Sequence, residues 1–367
     1  MMSVLNTTYS AAKECLKHGI PFALCLKPGL SVDSLPEFFV ENIHQSKGYS
    51  ELSPTELESF DGFVISPFQV SDTHKVFGIR AELSAEQILD FVNRNESYQL
   101  YENSYLQNSS TDKDVHLKNV ALIANNLHSD SEKTVLSRIL VKESTIDPVD
   151  AAFKYFNQHQ TCFRYIVSLP NYGVWFGATP ELLLEYDRND YELATMSLAG
   201  TRSIFIEGQW DAKNVLEHNI VTDFICQNLS NYGLSVDEPI LTIVKFNEIE
   251  HLCHMVYAHG YAKIAQLLPG LSPTPAVCGW PRESAYNQII ELENHKRHFY
   301  GGYVGTTNPD FTHLFVNLRC AYSELYSNNK TIYTLYAGGG ITRHSNPEIE
   351  WIETEQKMKS LLAILKK

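Results

Sequence analysis

The chain has no CxxC pair, and its seven cysteines (Cys15, Cys25, Cys162, Cys226, Cys253, Cys278 and Cys320) are scattered and odd in number. That excludes a disulfide framework and fits reduced thiols in a cytoplasmic protein. No stretch approaches 18 consecutive apolar residues, so no membrane-spanning helix is expected. The opening MMSVLNTTYSAAKECLKHGI lacks a long apolar core and carries charge early, so a secretory signal is not expected either. Positive charge is scarce: 29 Lys and Arg face 43 Asp and Glu, for a net −14. A nucleic-acid-binding surface needs basic patches and is excluded. A protein this acidic that binds an anion must gather its few cations locally or recruit a metal. There is no fixed repeat, no low-complexity tract and no obvious linker.

What is present is enough to bury a large core. The 367 residues are 44% hydrophobic and 20% charged, the balance of a folded protein of one large domain or two smaller ones. Short strands are expected at Phe22–Leu26, at 60–66, and in a meander from Phe163 to Ala194. Helices are expected at 84–94, where Ser84 and Gln87 form a capping box, and at 147–157, opened by Asp147 before Pro148. Helices are also expected at 213–228, with an apolar face of Val215, Leu216, Ile220, Phe224 and Ile225, and at 351–365, and single strands at 133–140, 314–321 and 331–337. Strands run in groups without a strict βαβ rhythm, which reads as α+β with antiparallel sheets.

Several stretches could carry chemistry. Tyr333–Ala337 runs into Gly338, Gly339 and Gly340, followed by a helix bearing Glu350, Glu353 and Lys357. Spacings of three and four put those charges on one helix face. The plain reading is a glycine turn and a surface helix; the functional one is bare backbone beside charges for an anionic ligand with a divalent metal. Lys133 opens an apolar strand. It is either solvated or, if buried near Glu181, a usable base. Glu181 follows Thr179-Pro180 and precedes three leucines; it is a turn carboxylate in water or an acid with a raised pKa. Ser197–Arg202 reads as a strand-to-loop junction at Gly200. Glu217 sits mid-helix, where a lone Glu ordinarily faces solvent. His251, Cys253 and His254 have no zinc-type spacing and no second pair, so zinc is rejected. Arg297 and Arg319 are rim arginines, or cations in want of a carboxylate.

Taken together, these segments resemble the chorismate-utilising enzymes: isochorismate, salicylate, anthranilate and aminodeoxychorismate synthases. The resemblance rests on KTVLSR (Lys133–Arg138), GATPELL (Gly177–Leu183), LAGTR (Leu198–Arg202), LEHNIV (Leu216–Val221), PTPAVCGWP (Pro273–Pro281), VNLRCA (Val316–Ala321), YAGGGI (Tyr336–Ile341) and EWIETEQK (Glu350–Lys357). Each is weak alone, but they stand in the family's order. Three places depart from it. Ser272 precedes Pro-Thr-Pro where His is common, Asn214-Val215-Leu216 stand where many relatives have Asp-Arg-His, and Thr179 replaces a common Ser.

The resemblance implies a single large α+β domain like anthranilate synthase component I, an α/β/β/α sandwich with helices outside and the site between the sheets. Residues 1–115 would be the variable N-terminal part of the same fold and 116–367 the chorismate-binding catalytic region. It implies Mg²⁺ held by Glu217 and Glu353, with Glu350 a poorer match than Glu353. Arg319 and Lys357 would receive the enolpyruvyl carboxylate, helped by Gly338, Gly339 and Gly340. Gly200 and Thr201 would line the ring-carboxylate side, and His251 and Thr274 would touch the ring. Lys133, present as in the water-using branches, would be the base and Glu181 the acid. Ala199 stands where the aminodeoxychorismate branch has a nucleophilic lysine. The implied activity is isochorismate synthase, for menaquinone or siderophore biosynthesis, with salicylate synthase as the alternative. A non-catalytic homologue is the reading from another class. The enzyme would be a monomer or weak homodimer with no glutaminase subunit.

Overall fold

The computed structural model describes all residues except 1, 32–33, 43–45, 70–74, 95–108, 247, 327–329 and 367. Its strands form two sheets. The eight-stranded sheet runs, in spatial order, through Gly279–Trp280, Lys133–Ser144, Lys330–Ile341, Cys320–Tyr326, Gly173–Thr179, Phe163–Leu169, Phe22–Leu26 and Glu37–Phe39. The ten-stranded sheet is centred on Ile249–His259, Glu192–Ser203, Leu182–Asp187, Phe311–Val316 and Tyr303–Thr307. Every pairing described is antiparallel.

The layers follow from where the apolar side chains go. Period-two patterns need a partner on each buried face. Between the sheets lies an aromatic core in which Phe163 of one sheet stacks on Phe315 of the other, with ring centroids 4.5 Å apart. Such a pair adds about 1 kcal/mol beyond its area. Outside the eight-stranded sheet, helices Pro148–Gln158 and Pro347–Ile364 bury Tyr155, Phe156, Met358 and Leu361. Outside the ten-stranded sheet, helix Ala212–Asn231 buries Val221, Phe224 and Ile225. The result is the expected α/β/β/α sandwich. Residues 1–115 supply edge strands to both sheets.

Local signals hold where they were strongest. Ser84 and Gln87 form the reciprocal capping box, and Asp147 caps the Pro148–Gln158 helix. Three expectations are corrected. The strand expected at 314–321 is two strands, Phe311–Val316 and Cys320–Tyr326, in different sheets. The chain crosses between the layers at Asn317–Arg319, where Asn317 is held by Tyr165 Oη (2.6 Å) and donates to Phe299 O (2.9 Å). Arg319 takes a left-handed φ of +52° there. Ser197–Arg202 is not a junction to a loop but the interior of Glu192–Ser203, with a bulge at Gly200, φ +75°. Val215, placed on the apolar face of its helix, is exposed, and Asn214, Glu217 and His218 are buried instead.

Candidate active site

The site lies where the chain twice changes sheets. At Pro180–Glu181 it leaves strand Gly173–Thr179 for Leu182–Asp187; at Asn317–Arg319 it returns. The crossings are tied together. Thr179 Oγ1 donates to Val316 O (2.7 Å), Val316 N to Glu181 O (2.9 Å) and Ala178 N to Arg319 O (3.3 Å). Glu181 and Arg319 are therefore fixed by the fold rather than carried on free loops.

Gly338–Gly340 are not a turn. They continue strand Lys330–Ile341 and pair with Ser137, Leu136 and Val135. Their lack of side chains is a matter of space. A Cβ on Gly340 would lie 2.1 Å from Glu217 Oε1 and 2.8 Å from Lys133 Cε; one on Gly338 would lie 2.9 Å from Tyr300 Oη. Gly340→Ala therefore meets the flexible end of a carboxylate rather than backbone. The expected outcome is a melting temperature within a few degrees of wild type but activity reduced at least tenfold, checked by thermal melts beside a kinetic assay.

Lys133 is wholly buried, and its ammonium is 3.0 Å from Glu217 Oε1. Glu217 in turn has Lys213 Nζ 3.9 Å from its other oxygen. Lys213 holds Glu350 Oε1 at 2.8 Å, while Glu350 Oε2 is buried without a hydrogen-bond partner among the described residues. On the next helical turn, Glu353 pairs with Lys357 at 2.6 Å, and Lys357 also donates to Gly338 O at 2.8 Å. Burial opposes the charge on Glu353, but Lys357 and Lys213 hold its carboxyl down at about 2. Three carboxylates thus meet three lysines at the end of the glycine-bearing strand.

Glu181 is the opposite case. It is buried, its Oε1 has no hydrogen-bond partner among the described residues, and burial pushes its carboxyl up to about 8 against the pull of Lys133, Lys357 and Arg319. It is a protonated acid at neutral pH. His251 is held neutral, at about 3, by burial and then by Arg319 and Lys357. Its Nδ1 is 3.1 Å from Gly200 O, which can only accept, so Nδ1 carries the proton and Nε2 accepts from Arg319 Nη2 at 3.0 Å. Thr201 N donates to Asn214 Oδ1 (2.8 Å), which ties the Gly200 bulge to the carboxylate-bearing helix.

One cavity is lined by Glu181, Gly200, Thr201, Glu217, His251, Arg319, Gly338, Gly340 and Lys357. Four candidates are not on its wall. Lys133 lies against Glu217 and Gly340, Gly339 faces Glu350, and Glu353 is joined to the wall through Lys357. Thr274 is buried, its hydroxyl without a partner among the described residues, and its loop reaches the cavity through Ala276 and Val277 instead. Arg297 is a clamp rather than a ligand residue. It grips Glu293 with two nitrogens (2.9 and 2.6 Å) and donates to Val277 O and Val135 O. Sequence reasoning missed Lys213, whose signal was a lysine four residues before Glu217, and undervalued Glu350.

A divalent cation fits this set. No three metal-ligating side chains close on one point among the described residues, but Mg²⁺ ordinarily takes only one or two protein carboxylates and keeps its waters. Glu217 and Glu353 are the carboxylates that could supply them, with Glu350 Oε2 left without a hydrogen-bond donor among the described residues.

The chain matches the family described as "Chorismate binding enzyme" over residues 64–366. It is 31% identical over 216 residues to isochorismate synthase MenF of Pasteurella multocida, covering 56% of this chain and 49% of that protein. It is 31% identical over 255 residues to the vibriobactin-specific isochorismate synthase of Vibrio cholerae, covering 64% and 62%. The chain thus spans about half to three-fifths of the length of these curated relatives. The solved structure of the menaquinone-specific isochorismate synthase MenF of Escherichia coli superposes with a TM-score of 0.75 at 21% identity, covering 98% of this chain and 91% of that one, and shares the fold. The sandwich, the ordered motifs and the matched residues make this chain a member of the chorismate binding enzyme family.

Proposed function

We propose that the protein is an isochorismate synthase: it adds water at ring carbon 2 of chorismate and expels the hydroxyl at ring carbon 4. The observation that carries this reading is Glu181, a buried carboxyl kept protonated near neutral pH in the same site as the wholly buried Lys133. A reaction that delivers one proton to a leaving hydroxyl and removes one from an attacking water needs that pair. Lys133, as the uncharged amine, takes the proton from water as its oxygen bonds to carbon 2. The ring double bonds shift, the carbon 4–oxygen bond breaks, and Glu181 hands its proton to the departing hydroxyl, which leaves as water. Arg319 and Lys357 receive the enolpyruvyl carboxylate, with His251 aiming Arg319 from behind. The Gly200–Thr201 bulge faces the ring carboxylate.

Glu217 and Glu353 would hold Mg²⁺, which when bound supplies positive charge for the substrate's ring carboxylate. All residues given a role lie in the 116–367 region; residues 1–115 complete the sheets. No helix described is long and apolar enough to cross a membrane. The proposed role is the supply of isochorismate to menaquinone or siderophore synthesis in the cytoplasm. Water as nucleophile needs no glutaminase, and Ala199 offers no amine.

The reading is tested by incubating the protein with chorismate and Mg²⁺ alone and separating the products by chromatography. Isochorismate without salicylate fluorescence is the expected result. Salicylate and pyruvate would replace the isomerase by a synthase-lyase, and no turnover would leave a binding protein.

A further inference from the structure

Lys213 stands in the first turn of helix Ala212–Asn231, where the unpaired N–H groups favour an acidic side chain and disfavour a cation. Its place is explained by what it faces. Its ammonium is 2.8 Å from Glu350 Oε1 and 3.9 Å from Glu217 Oε2. The carboxylates that would bind the metal therefore already have a cation among them. Its side chain keeps about a fifth of its surface in contact with solvent, 21%, whereas that of Glu350 keeps 2%. The lysine, not the carboxylate, has somewhere to go.

We propose that Lys213 is a built-in competitor for the divalent cation: its ammonium neutralises Glu217 and Glu350 in the metal-free protein and must swing toward solvent when the metal enters. This rests on reading the carboxylates as a metal site. Lys213 so acts on the metal through its ligands. It keeps the empty cluster from repelling itself apart and sets a threshold below which the site stays metal-free.

The test is calorimetric titration of the whole chain with MgCl₂, without chorismate, alongside thermal melts. Lys213→Met is expected to bind Mg²⁺ roughly tenfold more tightly, since one opposing unit charge is gone. Its metal-free form melts below wild type, and Mg²⁺ raises its melting temperature by more. Lys213→Arg, which keeps the charge, restores the wild-type affinity. If Lys213→Met does not fold, Lys213→Gln must show the same tightening. Equal or weaker Mg²⁺ binding in a folded, uncharged variant overturns the competitor role and makes Lys213 a support that positions Glu350. Wild-type protein that takes up no Mg²⁺ at all overturns the metal-site reading itself, and the competitor with it.

Discussion

Lys133→Ala is expected to cut turnover by about 10³-fold while chorismate and Mg²⁺ still bind, because a positioned general base contributes roughly 10²–10⁴. The lysine has no exposed surface, and among the described residues its nitrogen has no hydrogen-bond partner. Among the described residues its one close charged contact is Glu217, at 3.0 Å. Removing it strips the site of its base but leaves Arg319 and Lys357 to receive the substrate and Glu353 to receive the metal. Calorimetry for binding and a steady-state assay for kcat separate the two effects. Lys133→Gln, of similar length, guards against a fall caused by a buried hole. Activity kept in both variants would remove Lys133 from the mechanism.

Glu181→Gln is expected to be as severe, and it comes with a signature in pH. The protonated form of Glu181 is the active one, and its pKa is raised to about 8 by burial. Wild-type kcat/KM should therefore fall as pH rises through that value, as the acid loses its proton. Glutamine keeps the shape and has no such proton, so the residual rate should lose this alkaline limb. A wild-type profile that instead rises through pH 8, or a Glu181→Gln variant that keeps the limb, would assign the acid to another group.

The layered fold was legible because apolar periodicity, caps and prolines are local signals. Asp147-Pro148 and the Ser84–Gln87 box act within one turn of chain, and the structure keeps them. The errors fall where long-range packing decides. Nothing within 314–321 says that the chain changes sheets at Asn317; that depends on Tyr165 and Phe299, far away in sequence. The three glycines looked like a turn because glycine usually marks flexibility. Here they are in a strand because Glu217 and Lys133 need the space. The buried face of helix Ala212–Asn231 was misjudged for the same reason. Hydrophobicity alone favoured Val215, whereas the lysines of a neighbouring strand and of the helix's own first turn make burial of Glu217 tolerable. The motif order gave the membership of the site; the pairing of each carboxylate with its own lysine could be seen only in three dimensions.

The most direct test of the account is one incubation of chorismate, Mg²⁺ and the protein in H₂¹⁸O, with the product analysed by mass spectrometry and NMR. The account predicts isochorismate carrying one ¹⁸O in the hydroxyl at ring carbon 2. Isochorismate without the label would mean that the substrate's own oxygen migrates, and salicylate as the end product would mean that the site goes on to eliminate pyruvate; either contradicts it.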